Sequence, residues 1–439
     1  MASRLVSEGP AAASSRAAAR ERARRCSPAL ARRGGRTASP GLGWGSVALL
    51  AGVLAIGEEG CARKADLDYR VFVSEAAAGT VAVFDPAGTR PFARLRVGML
   101  PHAMLLSPDR RSLYVVLVGS QAIAEVDVGT VRLRRTFLTA PVPERRSDGS
   151  VIRAHHDLEA SRHTSCFDCH FSGPGGAKPP YVGDRPFGIA LSRDGTRLLV
   201  SHVRSGDVAE IDRRSGVILR SVHMPPAGQA REAAAMALAG PDLYVMLRPT
   251  QPSRSPAVVR RLDAETLEVR GDIQVGPDPA SVRALDSGRV LVSNFESDTV
   301  SEIGPDGLRA RYTVAPGPLG AVELDAGRRT LVLDYYANCV SFVDLESGAV
   351  RTRKLARDGK SYANPTHGAL APDGRVWLVT SGSDGHLLSL DAGSGEVLVD
   401  VPIAGLSFDV AIAPRVGREA NAETLVTEET SWMRPRHLR

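Results

Sequence analysis

A short apolar strand that ends in aspartate recurs along this 439-residue chain and constrains its fold more than any other feature. It appears as Val81-Ala82-Val83-Phe84-Asp85, Ala124-Glu125-Val126-Asp127, Val208-Ala209-Glu210-Ile211-Asp212, Arg261-Leu262-Asp263, Val343-Asp344 and Ser389-Leu390-Asp391, and Val300-Ser301-Glu302-Ile303-Gly304 is a seventh copy with glycine in place of the acid. Turn residues and a second strand follow each copy, as in Ser215-Gly216-Val217. Aspartate suits the first position of such a turn because its carboxylate accepts the backbone N–H groups just downstream.

A second landmark keeps fixed register. Pro101, Pro186, Pro279, Pro318 and Pro365 stand nine residues before Arg110, Gly195, Gly288, Gly327 and Gly374. A strand and a turn lie between the two positions, and another strand follows, such as Leu198-Leu199-Val200-Ser201. Each unit is therefore four short strands in about 40 residues, the spacing of a propeller blade. A lone four-stranded sheet with two apolar faces cannot bury both, so the units must stack around an axis. The expected fold is all-β, a seven-bladed propeller over residues 62–415. Phe408-Asp409-Val410-Ala411-Ile412-Ala413-Pro414 reads as an innermost strand with no blade after it. The first unit, beginning near Tyr69, lacks that strand, so the C-terminal segment is expected to complete it and remove an open edge. Residues 416–439 read as a polar tail.

Ser107-Pro108-Asp109 with Leu113-Tyr114-Val115-Val116, and Ala371-Pro372-Asp373-Gly374, carry a further likeness. Over about residues 68–415 the chain resembles the bacterial YVTN-type propellers, relatives in architecture of the WD-repeat propellers. That resemblance implies the fold and leaves the function open, because such scaffolds host many roles.

One interval breaks the repeat. Asp85 to Asp127 is 42 residues, but Asp127 to Asp212 is 85, and the excess falls between Pro141 and Arg185. Connections from an outermost strand to the next innermost strand all emerge on one face of a propeller. The insertion is accordingly expected over the mouth of the central channel or its rim. Asp148-Gly149, Gly173-Pro174-Gly175-Gly176 and Pro179-Pro180 mark it as an irregular loop, and long loops in compact domains are usually functional or disordered.

The insertion holds Cys166-Phe167-Asp168-Cys169-His170, the Cys-x-x-Cys-His spacing of c-type haem attachment. Thr164 to His170 resembles the haem-attachment segment of bacterial cytochromes c, and is similar to segments of exported propellers joined to di-haem peroxidase domains. The resemblance implies thioether links at Cys166 and Cys169 and a proximal iron ligand at His170. The insertion is shorter than a self-standing cytochrome c and lacks a second motif, which argues against a di-haem peroxidase. Other readings of the same residues stay open: a local disulfide between Cys166 and Cys169, or a zinc site using both thiolates and two nearby histidines. His155-His156-Asp157 also offers copper or zinc donors, though adjacent residues rarely point together.

Candidate sixth ligands are His102, His163 and His367, with Met99 beside His102. Aligning the innermost strands places His367 and Asp409 at one offset with Ala103, Gly188, Ala233, Ser281 and Gly320, with Arg283 two residues further along its own strand. Small residues predominate at that offset, as expected where strands crowd the axis. His367, Asp409 and Arg283 are thus candidates for the channel mouth, with a solvated polar lining as the alternative. Cys339 reads as a buried small apolar residue, and Tyr335 and Tyr336 as blade packing.

Residues 1–61 read as a leader. Nine arginines are followed by the uncharged run Val47 to Ile56, which has the length of a secretory h-region and is too short to span a bilayer. Gly60-Cys61 resembles the end of a bacterial lipoprotein signal, which makes Cys61 a candidate lipid anchor; Glu58 and Glu59 depart from that pattern. The expected location is the periplasm or cell envelope. Of the net charge of +6, these 61 residues supply nine Arg against four Glu, leaving +1 for the remainder. No global basic field remains to draw nucleic acid. No nucleophile elbow, metalloprotease helix or phosphate-cradling loop is present, so any enzymatic role would be oxidoreductase-linked. The function expected from these features is electron transfer or redox sensing by a monomeric exported propeller with one haem c and a redox or envelope protein as partner. The alternative is an envelope-binding scaffold whose insertion is a disulfide- or metal-pinned lid.

Overall fold

The computed structural model describes residues 68–87, 90–139, 185–225, 227, 230–249, 254–381, 385–404 and 406–415. Within them lie seven four-stranded antiparallel sheets, the blades of a propeller, and one two-stranded hairpin, Ala356–Arg357 with Lys360–Ser361. From the axis outward, blade 2 runs Pro101–Leu106, Ser112–Leu117, Ala122–Asp127 and Arg132–Leu138, and blade 3 runs Pro186–Leu191, Arg197–His202, Asp207–Asp212 and Ile218–His223. The innermost strands of blades 4 to 7 are Ala230–Ala239, Pro279–Ala284, Pro318–Leu324 and Pro365–Leu370. Five of these strands open on the register prolines, and the turn residues nine positions on, Arg110, Gly195, Gly288, Gly327 and Gly374, all take positive φ. Glycine holds four of the five because that backbone region penalises a Cβ.

Blade 1 is closed by the far end of the chain. Ser407–Pro414 pairs antiparallel with Tyr69–Glu75 and stands innermost, ahead of Thr80–Phe84 and Ala93–Arg96. One apolar cluster accordingly joins Tyr69, Val71 and Ile412 of blade 1 to Trp377 and Val379 of blade 7. Burial falls outward within a blade. Ser112–Leu117 is buried at every residue because neighbouring blades cover both its faces, whereas the outer strand Val350–Lys354 is exposed throughout. The arginines and lysines of such outer strands protect the free sheet edge from pairing with another chain.

The turns between third and fourth strands behave as their aspartates require. Asp127 accepts from Thr130 N at 2.7 Å, Asp263 from Glu265 N and Thr266 N at 2.8 Å, and Asp344 from Ser347 N at 2.8 Å. Their backbone carbonyls are then taken by a side chain from the preceding blade, all the way round. Arg70 of blade 1 donates to Val128 O and Gly129 O at 3.0 Å; Arg135 of blade 2 to Arg213 O at 2.6 Å; Arg220 of blade 3 to Thr266 O at 2.8 Å. Arg261 reaches Pro305 O at 2.6 Å, the Tyr312 hydroxyl Leu345 O at 3.0 Å, Arg351 Gly393 O at 2.9 Å, and Arg375 of blade 7 returns to Pro86 O of blade 1 at 3.5 Å. Seven links of one kind tie the turn face into a ring.

Candidate functional site: the central channel and its mouth

Innermost strands begin at the face opposite those turns, so their first residues form the mouth of a central cavity of about 850 Å³, within the range of small-molecule and cofactor pockets. Its wall is mostly small and apolar, with Ala103, Gly188, Ala235, Ala280 and Ala321 among the lining residues. Small side chains are obligatory where strands converge. A Cβ at Gly188 would lie 2.7 Å from Ala234 O, and one at Gly320 only 2.3 Å from Thr366 O. In blade 4 the expected offset is corrected: the pairing with Asp242–Pro249 shifts register between Ala233 and Met236, so Ala235 lines the bore and Ala233 is fully buried. The bulge consumes the extra residues of this ten-residue strand.

His102, Phe187 and Phe408 stand together at the mouth. The imidazole lies between the two phenyl rings, 4.5 Å from each centroid, and is buried. Burial first, and then the neighbouring His367, push its pKa down to about 3, so the ring is neutral at physiological pH, the state in which imidazole binds metals. His367 and Asp409 both line the cavity, on blade 7 and on the closing strand. Burial holds His367 below its ordinary value against the opposing pull of Asp409 and of a hydrogen bond to the Phe408 carbonyl, while Arg283 pushes the same way as burial. Burial raises Asp409, against the His367 imidazole and the N–H groups of Met104 and Val410, which its oxygens accept at 2.8 Å each. Arg283 is exposed to the bore and acts electrostatically on both groups.

Three further groups at the mouth escape sequence reasoning. Arg248 and Asp278, both buried, pair at 3.3 Å, and Glu232 beside them has a pKa pushed up to about 7 by burial, against the pull of Arg248, Arg185 and Arg204. Phe295, Tyr335 and Tyr336 form a cluster with ring centroids 4.7–5.9 Å apart. Phe295 and Tyr335 line the cavity and Tyr336 is 54 % exposed, so the two tyrosines face the mouth where blade packing was expected. A signal for some polar groups was present: second strands with apolar middles carry a polar residue at or next to their end in six blades, at Glu75, His202, Arg248, Asn294, Asp334 and Thr380.

Cys339 is buried as expected, but in polar company: its Sγ is 3.5 Å from Asp334 Oδ2, and burial followed by the Asp334 charge pushes the thiol up to about 12. Asp334 itself, held by Ser341 Oγ at 2.7 Å, is pushed up to about 7 by burial. Among the described residues, no group of three or more His, Cys, Asp or Glu is placed to hold a metal ion, and no helix is long and apolar enough to cross a membrane. Cys166, Cys169, His170, His155, His156, Asp157, His163 and Cys61 lie outside the described residues, as do the leader and the 416–439 tail.

No family model matches the chain, and no curated protein does. Among solved structures it is similar to hydrazine synthase of Kuenenia stuttgartiensis, at 15 % identity over 72 % of this chain and 91 % of that one with a TM-score of 0.53. It is similar to the periplasmic gluconolactonase PpgL of Pseudomonas aeruginosa, at 18 % identity over 79 % and 99 % with a TM-score of 0.55. A third likeness is to the dihydro-heme d1 dehydrogenase NirN, at 15 % identity over 79 % and 75 % with a TM-score of 0.50. At these identities the likeness is one of fold, and the chain is a seven-bladed β-propeller.

Proposed function

We propose that this is an exported electron-transfer or redox-sensing propeller of YVTN type carrying one covalent c-type haem, attached through Cys166 and Cys169 with His170 as proximal ligand. The observation that carries the reading is positional. The segment with the Cys-x-x-Cys-His motif leaves the ring after Thr139 and rejoins it at Arg185, between blades 2 and 3, on the face where the cavity opens.

The residues on that side suit a porphyrin. Phe187, Phe408 and Ile189 offer apolar surface, His102 is neutral, and Arg185, near Glu232, supplies a cation for propionates. Haem bound through thioethers supplies a one-electron couple whose potential follows axial ligation and burial. Within the ring, His102 and His367 are the candidate sixth ligands. The physiological partner under this reading is a redox or envelope protein, with Cys61 as a lipid anchor and no nucleic acid involved.

Intact-mass measurement of protein produced with a haem-attachment system tests the proposal. A gain of about 616 Da with a Soret band supports it, and both are lost in Cys166→Ala/Cys169→Ala. A loss of about 2 Da, the signature of a disulfide, or bound zinc or copper would instead favour the second reading, an envelope-binding scaffold whose insertion is a pinned lid. That reading draws on the same Cys pair and its neighbouring histidines.

A further inference from the structure

The cavity has a second side. His102, Phe187 and Phe408 belong to blades 1 to 3, whereas Arg283, His367, Phe295, Tyr335 and Tyr336 belong to blades 5 to 7. Arg283 shares the bore with small apolar side chains and with Glu323 and Asp286, and Glu323 feels its charge, but among the described residues no carboxylate or carbonyl hydrogen-bonds to it. Arg248 nearby shows the contrast, since Asp278 balances it at 3.3 Å.

Asp409 acts on Arg283 at a distance and makes no hydrogen bond to it; its two oxygens accept from the N–H groups of Met104 and Val410. Nδ1 of His367 is buried and has no hydrogen-bond partner, while the ring's other bond goes to the Phe408 carbonyl. The neutral imidazole thus gives its one N–H to that carbonyl and offers an anion no donor, which leaves the donors of Arg283 as the ones available to an acid in this part of the bore.

At the rim above these groups the aromatic cluster is held in place. A Cβ at Gly317 would lie 2.8 Å from the Tyr336 ring, so only glycine lets that ring settle against the backbone. Tyr336 nonetheless keeps more than half its surface exposed. Arg283 lies four residues into its strand from Pro279, about 13 Å along the strand axis.

We propose that the blade 5–7 side of the channel binds an elongated aromatic carboxylate, its acid group on Arg283 and its ring system against Tyr335, Tyr336 and Phe295. The planar guanidinium matches a carboxylate with two parallel N–H···O bonds, and ring stacking adds to area burial at the rim. The depth between the two subsites selects a body longer than one ring. This goes beyond the haem reading and does not depend on it; haem content and ligand affinity are separate measurements.

The test is calorimetric titration of the full chain with biphenyl-4-carboxylate, biphenyl-4-carboxamide and benzoate. The expected result is saturable binding of biphenyl-4-carboxylate, at least tenfold tighter than its amide and than benzoate. Arg283→Met is expected to remove the acid-over-amide preference, and Tyr336→Ala to weaken the biphenyl acid at least threefold while leaving benzoate unchanged. Arg283 and Tyr336 are exposed, and thermal melts confirm that both variants fold. Equal affinity for acid and amide, no saturable binding at millimolar concentration, or an undiminished preference in Arg283→Met would overturn the proposal.

Discussion

The two faces of the ring use the same acidic side chains in opposite ways. On the turn face, Asp109, Asp194 and Asp344 sit below the ordinary carboxylate range because backbone N–H groups and a serine hydroxyl donate to them, and Asp263 does so through backbone N–H groups. At the mouth and in the bore, burial lifts Glu232 and Asp334 to about 7 and raises Asp278 and Asp409. Asp207 is the instructive exception at the mouth: His202 and the Ser205 and Ser221 hydroxyls outweigh its burial and bring it down to about 2. Ionised acids thus hold the turn face together, whereas the mouth keeps acids whose ionisation costs stability. Strain of that kind is retained where a ligand or a chemical step can use it.

The largest test of this contrast is closure. Deleting residues 407–414 strips blade 1 of its innermost strand and the bore of Phe408 and Asp409, and the expected outcome is loss of a cooperative thermal transition by circular dichroism. Survival of a sharp melt would show that the turn-face links hold the ring by themselves. Next comes Trp377→Ala at the junction of blades 7 and 1, where the fully buried indole donates to Tyr69 Oη at 3.0 Å. Urea unfolding is expected to register a loss of about 3–5 kcal/mol.

Asp334→Asn separates the faces by pH. The folded pKa of about 7 lies above the ordinary 3.8, so ionisation destabilises the fold above pH 7, and the penalty fades as pH falls toward 4. The variant is therefore expected to be more stable than the parent at pH 8, by about 1–3 kcal/mol, and indistinguishable from it or weaker at pH 4. His102 acts with the opposite sign: its depressed pKa means that the parent loses stability as pH drops from 6.5 toward 3, and His102→Leu is expected to flatten that slope. The smallest effect is expected on the turn face. Arg135→Met, which removes a half-exposed inter-blade link and one of the two arginines paired with Glu125, is expected to cost about 1 kcal/mol at neutral pH, read by the same urea titration.

Turn chemistry and strand periodicity are local, and so the Asp-ended strands, the register prolines and the left-over terminal strand were enough to read blade number and closure from the chain alone. His367, Asp409 and Arg283 were legible as bore residues for the same reason, since a shared register assigns strands a shared position. The bulge at Ala233–Met236 was not, because a slipped register shows only against the neighbouring strand. Nor were the seven inter-blade links, which join residues 33 to 289 positions apart in the chain, or the Arg248–Asp278 pair with Glu232 beside it. The order of residues determined a ring of seven sheets with one overgrown connection between blades 2 and 3. Which acids are stabilised as anions and which are held near neutrality was decided only by tertiary structure, because a carboxyl group's charge answers to burial and to donors brought from other blades, neither of which is written beside it in the chain.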